Sequence, residues 1–418
     1  MRWTLRWLCL AVVTSTVVAP QRQALAEAGP VFSDTGPDAA AYGTAQNYPA
    51  RRGGALLPQL FMVGTYSRYD TLYPYHLVAK PTAASPLRRA PEELTLSYRY
   101  RGASYTLDNY LDRNPATGLL IARDDTILFE HYRYGRTDRD RLLSQSMAKT
   151  ITSMLLGIAV SDGAIRSIDQ PAADYVPDLV GTEYGKTPIR ALLHMASGVA
   201  FSEVYDGADD NAKLGRIRFG RNNPGAARAL ALFNNREAPP GTRFHYASSE
   251  SQVLGLVIAN AVHMPLAAYL QSRIWQKIGA EADATWVVDT AGTEVASCCF
   301  SATLRDWARF GLLLAHDGAW NGQQIIPRQW VLDATSVEAP YLAPGTATRT
   351  YGYGYQVWLR PGGRRQFALL GVHGQAIFVD PAARLVLVHT AVRLKAAADP
   401  AIAELIALWQ ALVARYGG

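Results

Sequence analysis

Ser146-Met147-Ala148-Lys149, followed by Thr150-Ile151-Thr152-Ser153-Met154-Leu155-Leu156-Gly157-Ile158, is the stretch on which the reading of the chain turns. Ile151, Met154, Leu155 and Ile158 recur at helical spacing, which predicts a helix with one buried face that stops at Ser161-Asp162-Gly163. Ser146 opens that helix and Lys149 lies about one turn further, so both side chains fall on one face. The N-terminal end of a helix also favours developing negative charge. A serine hydroxyl is a poor nucleophile until a base takes its proton, and a desolvated lysine can be that base. The plainer alternative is a capping serine beside a solvated lysine. Against it, Lys149 sits among Met147, Ala148 and Ile151 rather than in a polar run.

Upstream, Leu119-Leu120-Ile121-Ala122 and Thr126-Ile127-Leu128-Phe129 flank Asp124-Asp125 and read as a β-hairpin. Downstream, helical runs at 189–195, 226–233 and 251–262 are separated by loops rich in Gly, Pro, Asn and Asp, so the region from about 165 to 295 is expected to be mainly helical. A further helix opens near Thr303. Short strands are predicted at 353–359, 366–370, 376–379 and 385–390, joined through Pro361-Gly362-Gly363 and Asp380-Pro381, and a terminal helix at 400–416. The layout of strands, helical insert, strands and helix implies an α+β fold. An antiparallel sheet assembled from both chain ends and flanked by helices would carry an inserted, mainly α-helical lobe.

Two later segments add chemistry. Phe244-His245-Tyr246-Ala247-Ser248 follows Pro239-Pro240-Gly241, which places Tyr246 and Ser248 on a loop just before a helix. A tyrosine beside a lysine ammonium loses its proton more easily, so Tyr246 is a candidate base towards Ser146 and a later acid towards the leaving group; otherwise it is an aromatic packed under a turn. Gly371-Val372-His373-Gly374-Gln375 precedes a strand, where a glycine lets a substrate approach the backbone. The N–H of Ser146 and a donor near Gln375 or Ala376 would form an oxyanion hole, with His373 orienting the substrate or serving only as a structural histidine.

In this order, Ser146-x-x-Lys149, Tyr246-Ala247-Ser248 and His373-Gly374-Gln375 resemble the Ser-x-x-Lys, Tyr-x-Ser/Asn and Lys-Thr-Gly or His-Gly elements of the serine β-lactamase and penicillin-binding-protein superfamily. The resemblance is closest to class C-like hydrolases, the family VIII carboxylesterases and the 6-aminohexanoate-dimer hydrolases, and runs from about Leu119 to the C-terminus. Leu192-Leu193-His194-Met195-Ala196-Ser197-Gly198 is similar to the family's Leu-Leu-x-x-x-Ser-Gly turn, and Thr303 to Gly311 to its Thr-x-x-Asp-x-Ala-Arg-Phe-Gly helix. The resemblance implies a β-lactamase/transpeptidase-like fold, Ser146 as the acylated nucleophile and Lys149 with Tyr246 as the proton-transfer pair. It also implies His373, Gly374, Gln375 and Ser248 on the substrate side and Tyr205 facing the substrate. The carboxylate-reading lysine of true β-lactamases is absent. The expected activity is therefore hydrolysis of esters or small amides through an acyl-enzyme, with a non-catalytic or acylation-only sensor, or a β-lactamase or D-amino-acid peptidase, as alternatives. An α/β-hydrolase would need a Gly-x-Ser-x-Gly elbow, which the sequence lacks.

Composition sets the frame. With 49% hydrophobic and 18% charged residues among 418, the chain reads as a folded, soluble protein. Met1-Arg2-Trp3-Thr4-Leu5-Arg6, an apolar run at 7–19 and Ala24-Leu25-Ala26 read as a signal peptide at 1–26; the run is too short for the ~20 residues of a membrane span. An exported, periplasmic or secreted protein is expected, with no stable membrane span after signal removal. Residues 27–115, rich in Pro, Gly, Tyr and Arg, read as an extension wrapping a hydrolase domain at 116–418. No Lys/Arg cluster suggests nucleic-acid binding, and no His-Glu-x-x-His run or metal-site spacing appears, so the expected partner is a small ester or amide with no cofactor and no metal. Cys298 and Cys299 are expected as two apolar thiols rather than a vicinal bridge.

Overall fold

The computed structural model describes residues 29–54, 56–397 and 400–417. The signal-peptide reading at 1–26 lies outside the described residues. Among the described residues, the main sheet has nine strands. Thr126–Tyr132 pairs with Ala116–Arg123, which pairs with Leu385–Ala391; the order continues through Gln375–Asp380, Phe367–Gly371, Trp358–Leu359 and Gly352–Tyr353, all antiparallel. The sheet is thus assembled from both ends of the chain, and the fold is α+β. Two short strands from the first hundred residues, Val31–Phe32 and Arg88–Arg89, add in parallel to Thr126–Tyr132.

The central strands carry apolar side chains on both faces because both faces are covered. Leu119, Ile121, Phe378, Leu385 and Leu387 pack with Leu405, Leu408, Trp409 and Leu412 of the terminal helix Ile402–Tyr416. On the opposite face lies the helix Leu304–Ala315. Thr303 caps it by accepting from Asp306 N, Asp306 in turn accepts from the N–H groups of Glu281 and Ala282, and buried Arg309 pairs with Asp306 at 3.0 Å. Gly311 lets the helix sit against the strands, since a Cβ there would lie 2.7 Å from Val386 Cγ1. The Thr-x-x-Asp-x-x-Arg-x-Gly pattern is therefore a docking device for this helix.

Between the two halves of the sheet lies the helical insert, which includes Ile189–Leu193, Asp210–Arg218, Ala226–Leu230 and Ser248–Val262. A second sheet of four strands, in the order Tyr75–Val78, Ala284–Val287, Phe300–Ala302 and Leu142–Leu143, leads directly into the turn that carries Ser146.

One predicted strand is corrected. Residues 353–359 form two short strands, Gly352–Tyr353 and Trp358–Leu359, around an inward turn. Gln356, at φ 59°, breaks the extended path; its buried amide donates to Leu192 O and accepts from Ser251 Oγ, tying the sheet edge to the insert.

Candidate active site

Ser146 lies in a 3-10 turn, Gln145–Met147, that runs into the helix Ala148–Ser161, and not in the helix itself. Gln145 adopts φ 45°, and its amide donates to Tyr66 Oη at 2.9 Å, which fixes the approach of the turn. Twelve residues of the helix are buried, Lys149 among them. Its ammonium has three oxygen neighbours: Ser146 Oγ at 3.0 Å, Ser248 Oγ at 2.9 Å and Ser297 O at 2.9 Å. Burial pushes the lysine pKa down to about 8, with Glu203 opposing the shift and Arg218 adding to it. A group of that pKa is neutral often enough near physiological pH to accept a proton.

Tyr246 precedes the helix Ser248–Val262, with its hydroxyl in the neighbourhood of Ser146. Its ring stacks on Trp358 at 5.4 Å, and Lys149 Nζ lies 5.0 Å from its centroid. The phenol does not ionise more easily, as the sequence suggested. Burial, then the negative charge of Glu203, hold its pKa well above the ordinary tyrosine value. A fully desolvated phenolate would cost more than the lysine charge at its ring returns.

Glu203, not singled out from sequence, lies beside this group. Its Oε1 accepts from Ser248 Oγ at 2.7 Å and from Tyr205 Oη at 2.8 Å, and its Oε2 accepts from Ser248 N at 2.6 Å. Ser248 therefore links Lys149 to a carboxylate, and Tyr205 donates to the same oxygen of that carboxylate. Only an acid two residues before Tyr205 signalled this, and a loop carboxylate in a polar stretch reads as solvated.

The turn Ser197-Gly198 is clamped from the same helix. Ser197 Oγ donates to Glu250 at 2.7 Å, and Gly198 runs at φ 74°, where a Cβ would lie 1.9 Å from Ala238 O. Burial, opposed by the Ser197 donors, raises the Glu250 carboxyl to about 8.

A cavity of about 670 Å³ opens on Ser146, Ser248, Glu203 and Tyr205. The third predicted segment is placed differently from its reading. The hairpin packs against the serine turn, with Gly371 so close that a Cβ would lie 2.6 Å from Ser144 O, but within it Val372 is the residue that lines the cavity. His373 is 1% exposed, its Nδ1 bonded to Arg393 O at 2.7 Å and its ring edge-on to Tyr66. The Gln375 amide donates to Ala391 O at 2.7 Å. Gly374, at φ 94°, completes the left-handed turn that His373 begins at φ 61°. The His373 and Gln375 side chains are thus engaged within the fold.

Cys298 and Cys299, expected as thiols, form a disulfide that also lines the cavity. Cys299 turns to φ 71°, which brings the two Sγ atoms together instead of burying them on opposite sides of an extended chain. A further part of the lining comes from residues 51–54 and 56–73, including Arg52, Tyr66, Tyr69 and Tyr73.

Residues 105–409 match the family model described as Beta-lactamase. The chain is 26% identical over 331 residues to the 6-aminohexanoate-dimer hydrolase of Paenarthrobacter ureafaciens, covering 77% of this chain and 83% of that one. A solved Bacillus anthracis structure bearing the same 6-aminohexanoate-dimer hydrolase designation superposes with a TM-score of 0.76 at 24% identity, over 85% of this chain and 94% of that one. A family VIII carboxylesterase superposes with a TM-score of 0.55 at 17% identity, over 72% and 93%. These two superpositions show the shared fold. With the family model covering most of its length, the chain belongs to the beta-lactamase family, and its relatives include proteins named as hydrolases.

Proposed function

We propose that the protein is a serine hydrolase that cleaves esters or small amides through an acyl-enzyme on Ser146. The observation that carries this reading is Lys149 Nζ at 3.0 Å from Ser146 Oγ, with burial pulling its pKa down to about 8. Neutral Lys149 takes the serine proton as Oγ adds to the carbonyl carbon. The oxyanion forms near the N-terminal end of the buried helix, whose backbone N–H groups stabilise negative charge. The protonated Tyr246 phenol donates to the leaving oxygen or nitrogen, and the proton that Lys149 took from Ser146 returns to the Tyr246 oxygen as the acyl-enzyme forms. Water then adds to the acyl-enzyme, its proton passes to the Lys149–Tyr246 pair, and the acid leaves as Ser146 regains its proton. Glu203 and Tyr205 hold Ser248, and through it the lysine, in place.

Esters stand first because the sequence carries His373-Gly374-Gln375 where a carboxylate-reading lysine would stand in a true β-lactamase. The relative named for a 6-aminohexanoate dimer brings amide bonds into range. The N-terminal sequence supports an exported, periplasmic or secreted protein acting on a small molecule, with no nucleic-acid partner.

The experiment is a turnover screen of nitrophenyl esters, nitrocefin and linear amides, paired with fluorophosphonate labelling. Wild type is labelled and turns over esters, whereas Ser146→Ala is neither labelled nor active. Labelling without turnover would leave an acylation-only sensor, and turnover surviving in Ser146→Ala would sink the assignment.

A further inference from the structure

Arg218 ends the helix Asp210–Arg218, is 5% exposed, and lines the cavity that Ser146 opens into. Its Nε and Nη2 make no hydrogen bond to any described residue. A buried guanidinium stays charged and ordinarily has its N–H groups paired, because each unsatisfied charged donor costs more than a neutral one. Burial brings its pKa down only to about 10, and Asp289 and Glu203 act on it through space. Nε–H and the neighbouring Nη2–H lie on one edge of the guanidinium, the edge that grips a carboxylate with two parallel hydrogen bonds.

The other charges around the cavity are already engaged. Arg52 donates through Nε to Leu72 O and lies over the Tyr73 ring. Arg216 donates to Gly207 O at 2.9 Å, and Arg51 lies over Phe61. Of the acids, Asp209 accepts from Val204 N, Tyr205 N and Ala212 N, while both oxygens of Glu203 hold Ser248 and Tyr205. Four arginines against these two carboxylates leave the lining positive, with Arg218 as its unused donor and both carboxylates already engaged as acceptors.

We propose that the substrate is a net anion, an ester or amide that carries a carboxylate at one end, and that Arg218 is the residue that reads this carboxylate. The inference deepens the hydrolase reading and rests on it. A half-ester or half-amide of a dicarboxylic acid fits this lining better than a zwitterion does, since both lining carboxylates are committed to internal donors.

The test is the ratio of kcat/KM for mono-4-nitrophenyl glutarate to that for its neutral methyl ester, measured in wild type, Arg218→Lys and Arg218→Met. Wild type should favour the anion, and Arg218→Met should lower the ratio about 10- to 100-fold, chiefly through KM, with Arg218→Lys in between. The unfolding midpoint of Arg218→Met should not fall, because the variant removes an unpaired buried charge. A ratio unchanged in Arg218→Met, or equal losses on both esters together with a lowered midpoint, overturns the assignment. Ser146-dependent release of nitrophenol from the neutral ester would still uphold the hydrolase reading in that case. If neither ester turns over, glutarate titrated calorimetrically into Ser146→Ala decides the matter: binding that Arg218→Met abolishes sustains the anion pocket, and no binding overturns it.

Discussion

Lys149 sets the pH at which the proposed chemistry can run. A base with a pKa of about 8 predicts that kcat/KM climbs roughly tenfold per unit below that value and levels off above it, a profile read from initial rates between pH 5 and 10. Lys149→Arg, which keeps the charge but cannot act as a base, should lose about 10²- to 10⁴-fold in kcat. The same depression has a stability consequence. A lysine whose folded pKa lies below its unfolded value is bound to more protons when unfolded, so stability rises as pH climbs from about 8 towards 10.5. That rise should be absent in the pH dependence of unfolding of Lys149→Met. A simpler check concerns the bridge: denatured, non-reduced protein should show no reactive thiol beyond that of Cys9. At this scale the sequence was most legible where chemistry is local. Ser146, Lys149 and Tyr246 stand in short motifs, whereas Glu203 and Arg218 owe their importance to what folds around them.

The Ser197-Gly198 turn shows how an element holds the site without touching substrate. The Glu250 carboxyl, raised by burial to about 8, is bound to more protons folded than unfolded, so its contribution is present below about 4.5 and is lost as pH rises through 8. Glu250→Gln, which keeps the shape and removes the charge, should flatten that part of the stability profile and raise the unfolding midpoint at pH 8. Gly198→Ala meets both a left-handed backbone and a carbonyl at 1.9 Å, and should cost several kcal/mol, on the order of 3, in denaturant unfolding. Regular elements were readable from periodicity: the helices at 189–193 and 226–230 begin at the expected residue and end two and three residues early, and that at 402–416 begins two residues late. The inward turn at Gln356 was not, because its aromatic and apolar neighbours carry the strand pattern straight through it.

For the molecule as a whole, the described residues of the leading segment, 29–54 and 56–104, pack as part of the body. Met62, Val63 and Tyr66 of the helix Gln59–Ser67 are buried with Tyr42, Tyr134, Leu143 and Val392. Each such side chain is worth about 1.5–3 kcal/mol of burial, so together they rival the 5–15 kcal/mol that typically holds a domain folded. A chain starting at residue 105 should therefore fail to show a cooperative thermal transition by circular dichroism. From the sequence, residues 27–115 read as an extension wrapping the hydrolase domain, because they carry scattered aromatic anchors in place of a periodic face, and such anchors find partners only in three dimensions.

That arrangement divides labour along the chain. The proposed bond-breaking groups fall inside the stretch shared across the family, 105–409, while residues 51–73 supply one wall of the cavity and lie ahead of it. Within this leading segment, Tyr66 braces the serine turn through Gln145, whereas cavity-lining Arg51, Arg52 and Leu56 make no hydrogen bond to the serine, lysine or tyrosine. Rewriting those cavity-facing positions while keeping Tyr66 is accordingly a route to new selectivity that leaves the reaction itself intact.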